Sequence, residues 1–381
     1  MTYVIIVVNM QYLAILGRQP KISLAELESL FGNVSTVAGS GDHLAIFDAK
    51  KKPNIARLGG TIKLGRVIDE TPEKFLLDYA KKDNFNGKFT IGVSDYSPKT
   101  SGRTAQGEAL HIKRLLKKHG MSARVVPNKD AVLSSATVFH NQLGEKRGRF
   151  EFIRFKKDWF VGLGVQNINA YTARDQKRPA RDAKNGMLPP KLAQILINLC
   201  GPLPADARVL DPFCGTGVVL QEALLMGYQG YGTDINERIV KFARKNLEWL
   251  EMGDFTLACG DATDYTWEQP IDAVAFEGYL GPPMSNAPAE IKLKEIKNDL
   301  FLLYRNVLRN LSSQLKSGVP VVMAVPAWLR PDGHYQRLNL LDEIDALGYN
   351  VLKYKNLSQN DLLYHREGQV VAREIIVLRK K

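Results

Sequence analysis

The stretch from Val209 to Gly217, VLDPFCGTG, restricts the fold more than any other part of the chain. Val209 and Leu210 end an apolar run, Asp211 and Pro212 stop it, and Gly215 and Gly217 flank Thr216 ahead of a helical apolar pattern from Val218. Strand, glycine loop and helix in direct succession open a parallel α/β sheet, because a parallel strand needs a helical crossover to return. The rest of the second half keeps the alternation. Strand patterns recur at 208–212, 230–234, 255–259, 273–276, 320–326, 350–355 and 371–378, with helical patterns at 218–226, 237–250, 291–315 and 338–347. The expectation is a seven-stranded doubly wound α/β sheet over 190–381, with ligands bound beyond the carboxyl ends of its strands.

The first half carries a different charge. Residues 1–190 hold 31 Lys and Arg against 17 Asp and Glu, while residues 191–381 hold 21 against 23, so the formal excess of +12 arises entirely from the front. A field of that sign attracts polyanions, and nucleic acid is the polyanion such a domain most readily meets. Lys113, Arg114, Lys117 and Lys118 recur at i, i+4 spacing in a helical pattern at 105–119, which gathers them on one face. A merely solubilising basic surface is the competing reading. Cys200, Cys214 and Cys259 lie far apart with no C-x-x-C pair, which fits neither a disulfide framework nor a structural zinc site and points to the cytoplasm. Residues 3–16 are apolar, but no basic residue precedes them and Asn9 and Gln11 interrupt them, so they read as strand, with Met10 as an alternative start. No run of 18 apolar residues predicts a membrane span.

Two small α+β modules are expected ahead of the sheet. In the first, at 1–70, a strand at 12–16 leads to a helix opened by Ser23 and Glu26 in capping-box spacing and stopped at Gly32, with further strands at 43–47 and 62–68. In the second, at 71–170, the helix at 105–119 lies among strand patterns at 89–94, 123–126, 136–142, 149–155 and 159–165. Residues 171–189, rich in proline, glycine and charge, read as a linker.

The loop fits neither the G-x-G-x-x-G dinucleotide pattern nor the P-loop. DPFCGTG instead resembles the first motif of S-adenosylmethionine (SAM) dependent amino-methyltransferases. That resemblance implies a Rossmann-like methyltransferase sheet with SAM as cofactor, held by Asp211, Pro212, Phe213, Gly215 and Gly217. Asp234 and Ile235 then end the second strand, where a ribose diol would lie, and Asp261 and Ala262 follow the third, where an acid suits the amine of adenine. An acid at a strand end is, on its own, more often a cap or turn residue; three in this order make the cofactor reading. The fourth strand ends in Glu277-Gly278-Tyr279-Leu280-Gly281-Pro282-Pro283, where enzymes of this kind usually carry D/N-P-P-Y/F. Glu277 is the candidate oxygen for the target amine and Tyr279 the candidate ring beneath the target base. Phe213 is expected to pack beneath the loop, and Cys214 to be a small packing residue.

Further residues make the chain similar to THUMP-linked tRNA guanosine N2-methyltransferases: YLAILGR at 12–18, residues 23–27, Arg174-Asp175 with Arg178-Pro179, and MLPPKLA at 187–193. The resemblance implies a ferredoxin-like module, a THUMP-like RNA-binding domain, tRNA as partner, and guanosine 10 as target. Lys113, Arg114, Lys117, Lys118 and Arg178 are then the candidate RNA contacts, and the family has both stand-alone members and members that need an activating subunit. Lys191 is a candidate for the SAM carboxylate. Two alternatives stand: an adenine N6 amino-methyltransferase on RNA or DNA, since the fourth motif does not separate the two amines, and a SAM- and RNA-binding protein without turnover.

Overall fold

The computed structural model describes residues 10–182, 187–251, 253–268, 270–284, 286 and 288–381. The start of the expected first strand, the choice between Met1 and Met10, and the middle of the expected linker lie outside them. The chain divides into two compact units, the first made of the residues up to Asn169 except Glu28–Leu30 and Arg57–Gly59, which group with Ala170–Lys381 in the second.

The first unit comprises β1 (Met10–Leu16), α1 (Pro20–Phe31), β2 (Val34–Thr36), β3 (Leu44–Ala49), β4 (Thr61–Ile68), α2 (Pro72–Lys82), β5 (Phe89–Asp95), α3 (Gly102–Lys118), β6 (Ala123–Val125), α4 (Ser135–Asn141), β7 (Arg149–Phe155) and β8 (Asp158–Val165). Its strands form one mixed sheet in the order β2-β3-β1-β4-β8-β7-β5-β6. β4 and β8 pair antiparallel from Lys63 with Val165 to Ile68 with Trp159, so a single sheet runs through the stretches expected as modules at 1–70 and 71–170. Helix α3 shows why its charges gather. Ala105, Ala109, Ile112 and Leu116 pack against Phe89, Ile91 and Phe152, while Lys113, Arg114, Lys117 and Lys118 fall on the opposite, exposed face.

Two local expectations for this unit need correction. Residues 136–142 alternate like a strand yet form α4, because Ser134 caps it by accepting a hydrogen bond from the Thr137 N–H at 3.1 Å. Ser23 and Glu26 do not open α1, which begins at Pro20. The Ser23 hydroxyl donates to the Gln19 carbonyl at 2.9 Å, and the Glu26 carboxylate accepts from the Gly60 N–H at 2.8 Å. Gly60 is pressed so closely on Ser23 that a Cβ would lie 2.4 Å from its Oγ, so the pair fastens α1 to the loop before β4.

The second unit takes α5 (Ile168–Gln176) from Ala170 onward, α6 (Pro190–Leu199), β9 (Arg208–Asp211), α7 (Val218–Leu225), β10 (Gln229–Asp234), α8 (Glu237–Glu248), β11 (Phe255–Cys259), β12 (Ala273–Glu277), α9 (Glu290–Gln314), β13 (Pro320–Leu329), β14 (Tyr335–Gln336), β15 (Tyr349–Val351), β16 (Leu363–Tyr364) and β17 (Val371–Lys380). α5 occupies the first part of the expected linker. The sheet order is β11-β10-β9-β12-β13-β17-β15, with β14 on β13 and β16 on β17. Strands β9 to β13 are parallel and β17 runs antiparallel to β13, so the expected doubly wound sheet of seven main strands is present. Its core packs Tyr304, Val307 and Leu311 of α9 against Val274, Phe276 and Val321 of the sheet. The helix expected at 338–347 reduces to a 3-10 turn, Leu340–Glu343. It starts from Asn339 in the left-handed conformation (φ +57°), a backbone state that cannot continue back into a helix. No helix among the described residues is long and apolar enough to cross a membrane.

Candidate active site

Order along the sheet reverses between β9 and β12, and a doubly wound sheet opens its ligand crevice at such a point. Asp211 ends β9 there, buried, and accepts a hydrogen bond from the Phe213 N–H at 3.0 Å. The chain then turns onto the next strand: Cys214 donates its N–H to the Thr233 carbonyl of β10 at 2.8 Å, and Gly217 donates to the Cys214 carbonyl at 2.7 Å. Gly217 has φ +86° as it caps α7, a conformation that a side chain would strain. Gly232 of β10 passes beneath the loop, where a Cβ would lie 2.5 Å from Leu220 and 2.9 Å from Cys214. The loop therefore sits directly on the sheet, with Pro212 buried and Gly215 open at its outer side.

Asp234 ends β10 and accepts from the N–H groups of Gly215 at 3.0 Å and Asn236 at 2.9 Å. Ile235, beside it, leaves 71% of its surface exposed, an apolar side chain at the mouth of the crevice with nothing over it. After β11, Asp261 folds back to accept from the N–H (2.9 Å) and hydroxyl (2.8 Å) of Thr263, while the Ala262 side chain points into the core. Phe213 stacks on Phe276 at 5.5 Å, which agrees with packing beneath the loop. Burial lifts the Cys214 thiol well above its ordinary range, with Asp211 and Asp234 adding to the rise, so it stays neutral and packs.

The fourth strand, β12, delivers Glu277. Its carboxylate is paired with Arg373 of β17, a partner that sequence reasoning missed. Glu277 lies opposite Ala324 of β13 and Ala324 opposite Ile375 of β17, so Glu277 and Arg373 share one face of the sheet. The small Ala324 side chain leaves the guanidinium its path across β13. The signal was present: Arg373-Glu374 is a charged pair set between Ala372 and the apolar run Ile375 to Leu378, and such residues are buried only when paired. Tyr304 was missed as well. Fully buried on α9, it donates its hydroxyl to the Tyr279 carbonyl at 2.8 Å and lies against Gly278, where a Cβ would be 2.4 Å from its ring. That contact explains the departure from D/N-P-P-Y/F, since a proline ring at 278 has no room. Burial, then the Glu277 charge, holds the Tyr304 phenol well above its ordinary pKa, so it remains a donor. Tyr279 is 52% exposed.

Arg178, expected toward RNA, is instead only 4% exposed. It donates to the Thr216 hydroxyl at 3.4 Å and meets the Met187 sulfur at 3.0 Å, supporting the glycine loop from behind, and burial lowers its pKa. Arg174 likewise turns inward to Glu222 of α7 at 2.8 Å. These arginines resemble surface contacts in sequence because the loop they brace comes later in the chain. Lys191 is exposed over the Tyr171 ring at 4.9 Å.

Asp211, Asp234 and Glu277 converge on the crevice. Desolvation raises the Asp211 carboxyl well above its ordinary range against the pull of the Phe213 hydrogen bond, and Asp234 and Glu277 raise it further. Such a donor set suits a cation. SAM, with its positively charged sulfonium and ammonium, fits an acidic crevice of this kind.

Residues 177–328 match the UPF0020 family model, described as an RMKL-like methyltransferase domain. A tRNA (guanine(10)-N2)-dimethyltransferase of Methanothermobacter thermautotrophicus is 38% identical over 157 residues, 41% of this chain and 43% of that protein. The protein of the same name from Pyrococcus abyssi is 28% identical over 198 residues, 52% of this chain and 54% of its own length. The chain thus spans about half the length of these curated relatives. The crystal structure of TrmN from Thermus thermophilus aligns over 98% of this chain and 100% of its own at 21% identity, with a TM-score of 0.48.

Proposed function

We propose, from the premise that residues 177–328 are a methyltransferase domain, that the chain methylates N2 of a guanosine in tRNA, at position 10, using SAM. The convergence of Asp211, Asp234 and Glu277 at the carboxyl ends of β9, β10 and β12 carries this reading. The activity named for the two curated relatives supplies the substrate class.

In this reading Asp211, Pro212, Phe213, Gly215 and Gly217 line the cofactor, Asp234 takes its ribose hydroxyls, Ile235 covers its adenine, and Asp261 with the Ala262 backbone takes the adenine edge. When bound, SAM supplies a methyl group activated by a positively charged sulfur. Guanine N2 is a weak nucleophile because its lone pair is delocalised into the ring. Glu277 accepts a hydrogen bond from the amine and returns electron density to the nitrogen as the N–C bond forms, which is preorganised electrostatic help. The proton leaves the methylated amine for water, so Glu277 is not needed as a base. Tyr279 receives the base after it turns out of its stack. The basic first unit, with Lys113, Arg114, Lys117 and Lys118 exposed on α3, supplies THUMP-like affinity for the RNA backbone. The cytoplasm is the proposed site of action.

Incubation with tRNA and methyl-tritiated SAM, followed by nucleoside digestion, tests this. N2-methylguanosine or its dimethyl form is expected. Labelled N6-methyladenosine transfers the chemistry to the adenine alternative, and no label with SAM still bound favours the non-catalytic one. Turnover by the purified chain alone removes the need for an activating subunit.

A further inference from the structure

We propose that Arg373 is a positioning residue that clamps one carboxylate oxygen of Glu277, leaving the other to accept a hydrogen from the target amine. This rests on the methyltransferase reading above. The Arg373 Nε pairs with Oε1 of Glu277, and the two side chains keep only 11% and 15% of their surfaces exposed. The centre of the Tyr364 ring lies 5.9 Å from the guanidinium carbon, a cation–π contact. The charge is dedicated. Neighbouring Glu374 points to the other face of β17, where Arg337 holds it at 2.7 Å and Gln359 at 3.1 Å, so it does not compete for Arg373. Glu277 needs such a partner, because Asp211 lies close enough to feel its charge and two unpaired carboxylates would push each other out of place. A planar guanidinium fixes the direction of an oxygen as well as its charge, which an ammonium does not.

The test compares wild type, R373M, R373K, E277Q and the R373M/E277Q double variant as full chains. Methyl transfer to tRNA, SAM affinity by calorimetry and Tm are measured for each. R373M is expected to lose at least about tenfold in kcat with SAM affinity and tRNA KM within about threefold of wild type. R373K should recover part of that loss, and R373M should cost nothing further in the E277Q background. If R373M does not fold, a fall in kcat for R373K at unchanged KM carries the same expectation. Multiplying losses in the double variant, or wild-type kcat in both Arg373 variants, would overturn the role. Wild type run in parallel keeps the two ideas apart: its failure to label tRNA counts against the functional reading, whereas a working wild type beside an unimpaired R373M counts against Arg373 alone.

Discussion

Each unit has a close buried acid–base pair that bridges two strands of its sheet, and these two pairs are finished differently. In the first, Lys63 of β4 meets Glu151 of β7 at 2.6 Å with both side chains 2% exposed. Ser94 donates to the same glutamate oxygen, Lys63 also donates to the Leu133 carbonyl at 2.7 Å, and the Leu133 N–H returns to Ser94 at 3.0 Å. That circuit closes on itself. In the second, Arg373 holds one oxygen of Glu277, and the charge of that carboxylate reaches Asp211 at the end of β9. A buried ion pair gives little net stability unless every remaining donor and acceptor is filled. A pair left partly unfilled in a cleft is therefore a candidate for chemistry, and a filled one for architecture.

Breaking the closed pair should have the largest effect. Lys63→Met leaves Glu151 charged and buried, and is expected to cost about 3–5 kcal/mol of stability in a denaturant titration. A variant as stable as wild type would erase the contrast. Glu277→Ala should act chiefly on turnover, lowering kcat about 10²- to 10³-fold while calorimetric SAM affinity stays near wild type; unchanged turnover hands the amine to another group.

Asp211 sharpens the comparison through pH. Because its folded pKa is raised, its favourable contribution is complete below the ordinary value of 3.8 and is lost as pH climbs through the folded value. Asp211→Asn keeps an oxygen for the Phe213 N–H, so it should raise Tm by a few degrees at neutral pH and leave it unchanged at about pH 3. An equal shift at both would show that the carboxylates do not strain the crevice. The smallest effect belongs to the exposed charges of α3. Replacing Lys113, Arg114, Lys117 and Lys118 by Gln should weaken tRNA binding and flatten its log–log salt dependence by about 0.7–0.9 for each phosphate no longer neutralised. An unaltered slope would return that face to a solubilising role.

The parallel sheet was legible because buried parallel strands are short apolar runs, and each of the seven expected strands overlaps a real one. The glycine loop was legible because its backbone demands glycine. Alternation failed at α4, where one serine cap decides between helix and strand, and at 338–347, where the spacing of Leu338, Leu340, Ile344 and Leu347 serves a compact turn as well as a helix. That the candidate acids Asp211, Asp234 and Glu277 end β9, β10 and β12 was legible from their order, but Arg373 stands 96 residues from Glu277 and Tyr304 on a helix that carries no motif. Partners brought together by sheet order leave no local spacing to find. Arg178 shows the converse, a basic residue in a polar stretch whose burial follows from a loop it precedes.

The tight seat of Gly278 on Tyr304 also dictates an order of events for any lineage or engineer moving this chain toward the commoner tetrapeptide. A proline cannot enter first. Position 304 must shrink beforehand, surrendering its hold on the Tyr279 carbonyl, so the intermediate would carry a loosened mouth before gaining the rigid one.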